Sequence, residues 1–183
     1  MRKDHKQLGN NNEKEHTLRI KIISMGDGNV GKSCVIKRYC EEQFVSKYIS
    51  TIGIDYGVKP VVIDGMTVRV NFWDLSGHPE FFEVRNEFYK DTQGGLLIFD
   101  VSSRKSFESL ENWLRESAQF GGNKFPCIVC GNKVDKKRVI TEEEAARWAA
   151  HKGFAYFETS AKTGENIEDA LNALFKTVVK AVK

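Results

Sequence analysis

The chain has 183 residues, of which 40% are hydrophobic and 29% charged, and its net charge is +3. That is enough sequence for one domain with a sizeable core. So mild a charge gives no basis for a nucleic-acid partner or strong membrane attraction, and no apolar run approaches the roughly 20 residues of a membrane span.

Residues 1–16, MRKDHKQLGNNNEKEH, are polar and predict a flexible N-terminal tail. They contain no apolar leader segment, and Met1 is not followed by the glycine that myristoylation needs. Residues 17–183 are expected to form a single domain. Thr17–Met25 alternates and then turns apolar, as a strand entering a core does. Gly26–Ser33, GDGNVGKS, follows at once and fits G-x-x-x-x-G-K-[ST]. Small residues in such a loop let successive backbone N–H groups turn inward on phosphate oxygens. Lys32 adds a mobile charge that reaches β- and γ-phosphates, and Ser33 offers its hydroxyl to Mg²⁺. A helix expected over Ser33–Phe44 points its positive end at the phosphates. The strand before and the helix after supply the context that makes the string a nucleotide phosphate site.

VSKYISTIG reads as a loop. Its Thr51 can complete Mg²⁺ coordination only when a γ-phosphate draws the loop inward, and Phe44, which opens it, either stacks on a base or packs as a helix-end core residue. Two strands, GIDYGVKPVVID and MTVRVNFWD, are joined by the hairpin signal Asp64-Gly65. Asp74 ends the second, where a carboxylate can hold Mg²⁺ through water. Gly77, three residues on, can bring a backbone N–H to the γ-phosphate. LSGHPEFFEVRNEFYKD reads as loop turning into helix, GGLLIFDV as a buried parallel strand, and Ser103–Phe120 as an amphipathic helix.

PCIVCGN reads as another buried strand. Its Cys127 and Cys130 lie three apart, so they face opposite sides and make a poor chelate or redox pair. With Cys34 and Cys40 they are expected to be reduced thiols of a cytoplasmic protein. Asn132-Lys133-Val134-Asp135 follows the strand. Guanine presents N1–H and N2–H₂ on one edge, and the Asp135 carboxylate can accept both. Adenine lacks that arrangement, and sites built this way discriminate by roughly 10⁴ to 10⁵. Asn132 can bind the base or tie loops together, and the Lys133 stem can cover the ring. Thr141–His151 is a helix opened by a capping box, Thr141 with Glu144, and closed by Gly153. After the strand FAYFET, Ser160-Ala161-Lys162 forms a loop suited to backbone contacts with the guanine oxygen. The stripe Ile167, Ala170, Leu171, Leu174, Phe175, Val178, Val179, Val182 predicts a final helix packed on the sheet. The whole is an α/β domain with a six-stranded, mostly parallel sheet, one antiparallel strand, and helices on both faces.

GDGNVGKS, STIG, WDLSG, GNKVD and ETSAK, in this order and spacing, resemble the Ras superfamily of small GTPases. STIGIDYG and the WD pair lean toward the Rab branch, and GHPEF with EVRNEFYKDTQG is similar to its Rab-like RJL subgroup. Animal members of that subgroup often carry a C-terminal J domain. Nothing in this chain resembles one. The resemblance implies a GDP/GTP switch that is a P-loop GTPase with Mg²⁺ as cofactor. Gly26, Asp27, Gly28, Asn29, Val30, Gly31, Lys32, Ser33 and Cys34 would surround the phosphates, with Ser33, Thr51 and Asp74 on the metal. Thr51 and Gly77 would sense the γ-phosphate, Tyr48 would belong to the nucleotide site, and Phe44, Asn132, Lys133, Asp135, Ser160, Ala161 and Lys162 would hold the guanosine. Lys32, Gly77 and His78 would form the catalytic group. The loops around Thr51 and Gly77 would be switches ordered by GTP. Effectors, an exchange factor and an activating protein would meet them, on a monomer that is cytoplasmic or carried to membranes or a flagellum by partners.

His78 stands where most relatives have Gln, and Pro79 restricts its backbone. Neutral imidazole has one donor and one acceptor in a fixed ring, less than an amide offers to attacking water. Slow hydrolysis is the favoured expectation. A catalytic His78 and an idle, solvent-facing one are the alternatives, and a GTP-locked scaffold is the rival for the whole chain. An ATP-using P-loop enzyme is disfavoured by Asp135. QFVSKYIST contains no Arg, so an arginine finger would come from a partner. No cysteine follows Cys130, and the chain ends KAVK, without a prenylation signal. The expectation is either a soluble protein or a chain trimmed of a tail that carried an anchor or another domain.

Overall fold

A computed structural model describes residues 17–121 and 124–183; the tail expected over residues 1–16 lies outside them. In chain order, β1 (Leu18–Met25) is followed by α1 (Lys32–Glu41) and by the hairpin β2 (Ile54–Ile63) and β3 (Met66–Leu75). A 3₁₀ turn (Pro79–Phe81) leads into the short α2 (Phe82–Asn86), then β4 (Gly94–Asp100), α3 (Arg104–Glu108) and α4 (Leu110–Gln119). The chain closes with β5 (Cys127–Asn132), α5 (Glu142–Lys152), β6 (Ala155–Glu158) and α6 (Ile167–Val182).

The six strands lie in the order β2-β3-β1-β4-β5-β6. β2 runs antiparallel to β3, and every other pair is parallel. Strand alternation divides the apolar residues between two cores. Ile20, Ile22, Leu96, Ile98, Ile128 and Cys130 face α1 and α6. Ile23, Met25, Leu97, Phe99, Cys127 and Val129 face α3, α4 and α5. The two cysteines of C-x-x-C thus lie on opposite faces. β4 is buried along its whole length, which is why it reads as an unbroken apolar run. The order reverses beside β1, whose neighbours are β3 and β4. The crevice beyond the carboxyl ends of these strands is where such sheets bind ligands.

Local signals act as their chemistry requires. Asp64 (φ 49°) and Gly65 (φ 77°) both take the left-handed conformation of a tight two-residue turn, in register with Ile63 opposite Met66. Thr141 caps α5 by accepting from the Glu144 amide at 3.2 Å. The box is only half formed, because the Glu144 carboxylate pairs with Arg104 instead of turning back. Two helices differ from expectation. α1 ends at Glu41, short of Phe44, because Glu42 turns left-handed (φ 57°) and donates its amide to the Arg38 carbonyl at 3.0 Å. The helix expected over Ser103–Phe120 divides at Ser109 into α3 and α4.

Candidate functional site

The loop between β1 and α1 wraps the start of the helix. Gly31 (φ 100°) is its N-cap, and a Cβ there would run into the Asn132 amide, so the position admits only glycine. Lys32 is 6% exposed, and its Nζ donates to the Asp27 carbonyl at 2.9 Å. Burial lowers its pKa to about 8, with the Asp74 and Asp27 carboxylates opposing the shift and Arg85 adding to it. An ammonium so poorly solvated is poised to take an anionic partner.

Asp74, the last residue but one of β3, lies beside it and is buried. Ser24 Oγ donates to its Oδ1 at 2.6 Å, Ser33 Oγ to its Oδ2, and Thr51 Oγ1 to the same Oδ2 at 3.4 Å. The Ser33 and Thr51 hydroxyls are 2.9 Å apart. Three hard oxygen donors from α1, the following loop and β3 thus converge, the donor type that suits a small divalent cation. Through these contacts with Ser33 and Asp74 the loop after α1 reaches the start of that helix.

Gly77 lies against the phosphate loop so closely that a Cβ would overlap the backbone of Gly26, Asp27 and Gly28. His78 follows in extended conformation (φ −84°, ψ 138°), as the following proline demands. Its Nε2 and the Tyr48 hydroxyl are hydrogen-bonded at 2.8 Å. Arg85, 5% exposed, holds this corner. Its Nη1 donates to the His78 carbonyl at 2.8 Å, and its guanidinium forks onto Glu116 at 2.6 and 2.9 Å. The same group stacks 4.5 Å from the Trp113 ring, and Trp113 Nε1 donates to the Asp27 carboxylate at 2.9 Å.

At the other end of the crevice, Asn132 ties loops together. Its Nδ2 donates to the Val30 carbonyl at 2.9 Å, and its Oδ1 accepts from the Ala161 amide at 3.2 Å. Asp135 accepts from Ser160 Oγ at 2.7 Å. Lys133 Nζ pairs with Asp100 at 2.9 Å and also reaches the Asn29 carbonyl. Arg38 on α1 clasps the same loop from behind. It donates to the carbonyls of Ala161 at 2.8 Å, Lys162 at 2.6 Å and Glu42 at 3.1 Å.

Between these ends runs a cleft of about 450 Å³. Gly28, Asn29, Gly31, Lys32, Ser33 and Cys34 line its phosphate end, with Phe44, Tyr48, Thr51, Gly77 and His78 as its outer wall. Asn132, Lys133, Asp135, Ala161 and Lys162 line the rest. Phe44 lines the cleft and packs on the α1/α6 core. Gly26, Asp27, Val30 and Ser160 do not line the cleft. Gly26 and Val30 give backbone to the loop, with the Val30 side chain in the core. The Asp27 carboxylate turns away to Trp113, and buried Ser160 braces Asp135. Asp74 lies behind Ser33, in a smaller pocket under α1. Arg38, Arg85, Trp113 and Glu116 escaped the sequence argument. Arg38 and Arg85 look like solvated helix charges, and their partners lie 123 and 31 positions away.

Residues 21–180 match the family model described as the Ras family. The chain is 52% identical over 174 residues to the protein named DnaJ homolog subfamily C member 27 of Mus musculus, covering 91% of this chain and 64% of that one. It is 51% identical over 174 residues to the Homo sapiens protein of that name, with the same coverage. The Danio rerio counterpart is 50% identical over 173 residues, 91% of this chain and 63% of that one. The chain therefore spans less than two thirds of the length of these relatives.

Proposed function

The chain belongs to the Ras family, and from that membership we propose a GTP/GDP switch of the Rab-like kind that hydrolyses GTP slowly. The observation that carries the reading is the joining of the two cleft ends by one residue, Asn132, which bonds Val30 of the phosphate loop and Ala161 of the base loop. A ligand bound there has phosphates at one end and a base at the other. Asp135, held by Ser160, offers the paired acceptor that guanine's edge requires. Lys32 supplies the charge that meets β- and γ-phosphates, with its desolvation already spent in the fold.

The oxygens of Ser33, Thr51 and Asp74 fit Mg²⁺, which supplies charge neutralisation at the phosphates when bound. Thr51 and Gly77 belong to loops that would sense the γ-phosphate. Exposed Ile49, Ile52 and Val84 beside them form an apolar surface of the kind that effectors and regulators cover. The slow-hydrolysis reading rests on His78. Its fixed ring offers water less than a Gln amide does, and its Nε2 is engaged by Tyr48. The same contact keeps a GTP-locked scaffold as the second reading.

Single-turnover GTP hydrolysis of the chain beside His78→Gln tests this. The expected result is hydrolysis at least about tenfold faster in the variant, because an amide orients water that this imidazole does not. A slower variant would make His78 a catalytic group. Measurable GTP binding with no turnover in either protein would favour the scaffold.

A further inference from the structure

We infer that Tyr48 and His78 form a latch that joins two walls of the cleft and holds the His78 imidazole away from attacking water. The inference rests on the guanine-nucleotide reading and deepens it. Tyr48 comes from the loop after α1, and His78 from the loop after β3, 30 positions later. Among the described residues, their hydrogen bond of 2.8 Å is the side-chain bond that links these two loops across the cleft mouth. It lies over the phosphate end, since both residues line that wall and the His78 ring sits against Gly28. A Cβ at Gly28 would stand 2.9 Å from His78 Cε1 and 3.0 Å from Nε2.

The ring is held from both sides. Its backbone is fixed by Arg85 at the His78 carbonyl and by the extended conformation that Pro79 imposes. Its free end is held by the phenol. Whichever of the two is the donor, Nε2 is spent on Tyr48, and only Nδ1 remains. Two consequences follow from one bond. Opening the cleft mouth breaks it, so it slows ligand escape. Orienting a water through Nε2 also breaks it, so it restrains whatever help the imidazole gives to hydrolysis. A Gln at this position would lack the ring that lies against Gly28. Tyr48 is a positioning residue in this scheme, because it acts through His78.

Tyr48 is 52% exposed, so removing its hydroxyl leaves the core intact. The experiment is a double-mutant cycle of Tyr48→Phe and His78→Ala in the 183-residue chain with Mg²⁺. Release of a fluorescent, non-hydrolysable GTP analogue and single-turnover GTP hydrolysis are both read. A net hydrogen bond is expected to change release by about threefold to tenfold. Each single variant should release the analogue faster by that factor, and the double variant no faster than the faster single one. Tyr48→Phe should also hydrolyse GTP faster than the native chain, a gain that disappears when His78 is Ala. Multiplicative effects of the two changes would overturn the latch and assign Tyr48 a direct contact with the nucleotide. Unchanged release in Tyr48→Phe would overturn it as well. Loss of GTP binding already in the native chain would instead refute the nucleotide reading itself, which keeps the two failures distinct.

Discussion

At the scale of single residues, burial sets the chemistry more than sequence neighbours do. Cys34 and Cys40 are half-buried, whereas Cys127 and Cys130 sit in the two cores, where burial pushes both thiols up from 9.0 to about 12. The unfolded chain gives up these protons near the ordinary thiol value, and the folded chain keeps them to about 12. The folded form thus binds more protons in between. Their contribution is complete below about pH 9 and is lost as pH rises toward about 12. Urea midpoints measured between about pH 8 and about pH 11 should fall in the native chain and fall less steeply in Cys130→Ala, whatever the absolute stabilities. Equal slopes would show that Cys130 carries no such linkage. His78 illustrates the opposite case, where one side chain's neighbours rather than its burial decide what its nitrogens can do.

At the scale of elements, helices α1 and α6 and strand β4 hold the crevice in shape. Gly94 opens β4 because the strand passes beneath α6. A Cβ there would stand 2.6 Å from Val178 Cγ2 and 2.7 Å from Ile22 Cδ1. Gly94→Ala is expected to cost about 1–3 kcal/mol as overpacking, read as a lowered denaturant midpoint. A neutral result would mean that α6 yields without strain. α1 carries the phosphate loop at its start and, through Arg38, the base loop near its end. Arg38→Ala should release GDP roughly 30-fold faster, since two bonds to that loop of about 1 kcal/mol each are lost. Arg38→Lys should recover only part, because a point charge cannot bridge two carbonyls as a planar fork does. Full recovery by Lys would reduce the clasp to simple charge.

Much of this was legible along the chain. The run GGLLIFD announces a strand buried on both faces. Asp64-Gly65 announces its turn, and the glycine–lysine–serine string announces the loop that wraps the start of α1. What was not legible has a common cause. The end of α1 depends on one residue's left-handed backbone at Glu42, and the division of α3 from α4 falls at a serine that helices tolerate. Arg38, Arg85 and Glu116 acquire meaning only when the fold brings remote segments together, and periodicity marks them simply as polar. Asp27 and Ser160 fit the motif, yet they serve as braces, because a motif specifies spacing and leaves side-chain direction to the surrounding packing.

At the scale of the molecule, a sheet with two cores gathers four strand-end loops and the loop after α1 around one crevice, and the Ras-family match covers nearly all of the described residues. Whether this crevice selects guanine nucleotides is decided by competition. Fluorescent GDP bound to the purified chain is challenged with GDP, ADP and xanthosine diphosphate, for the native chain and for Asp135→Asn. ADP should fail to compete even at roughly 10³-fold excess, within the discrimination such hydrogen-bonding sites reach. Asp135→Asn should lose GDP affinity by about 100-fold or more and prefer xanthosine diphosphate, whose edge offers an acceptor where guanine has a donor. Effective competition by ADP, or undiminished GDP binding by Asp135→Asn, would contradict guanine selection.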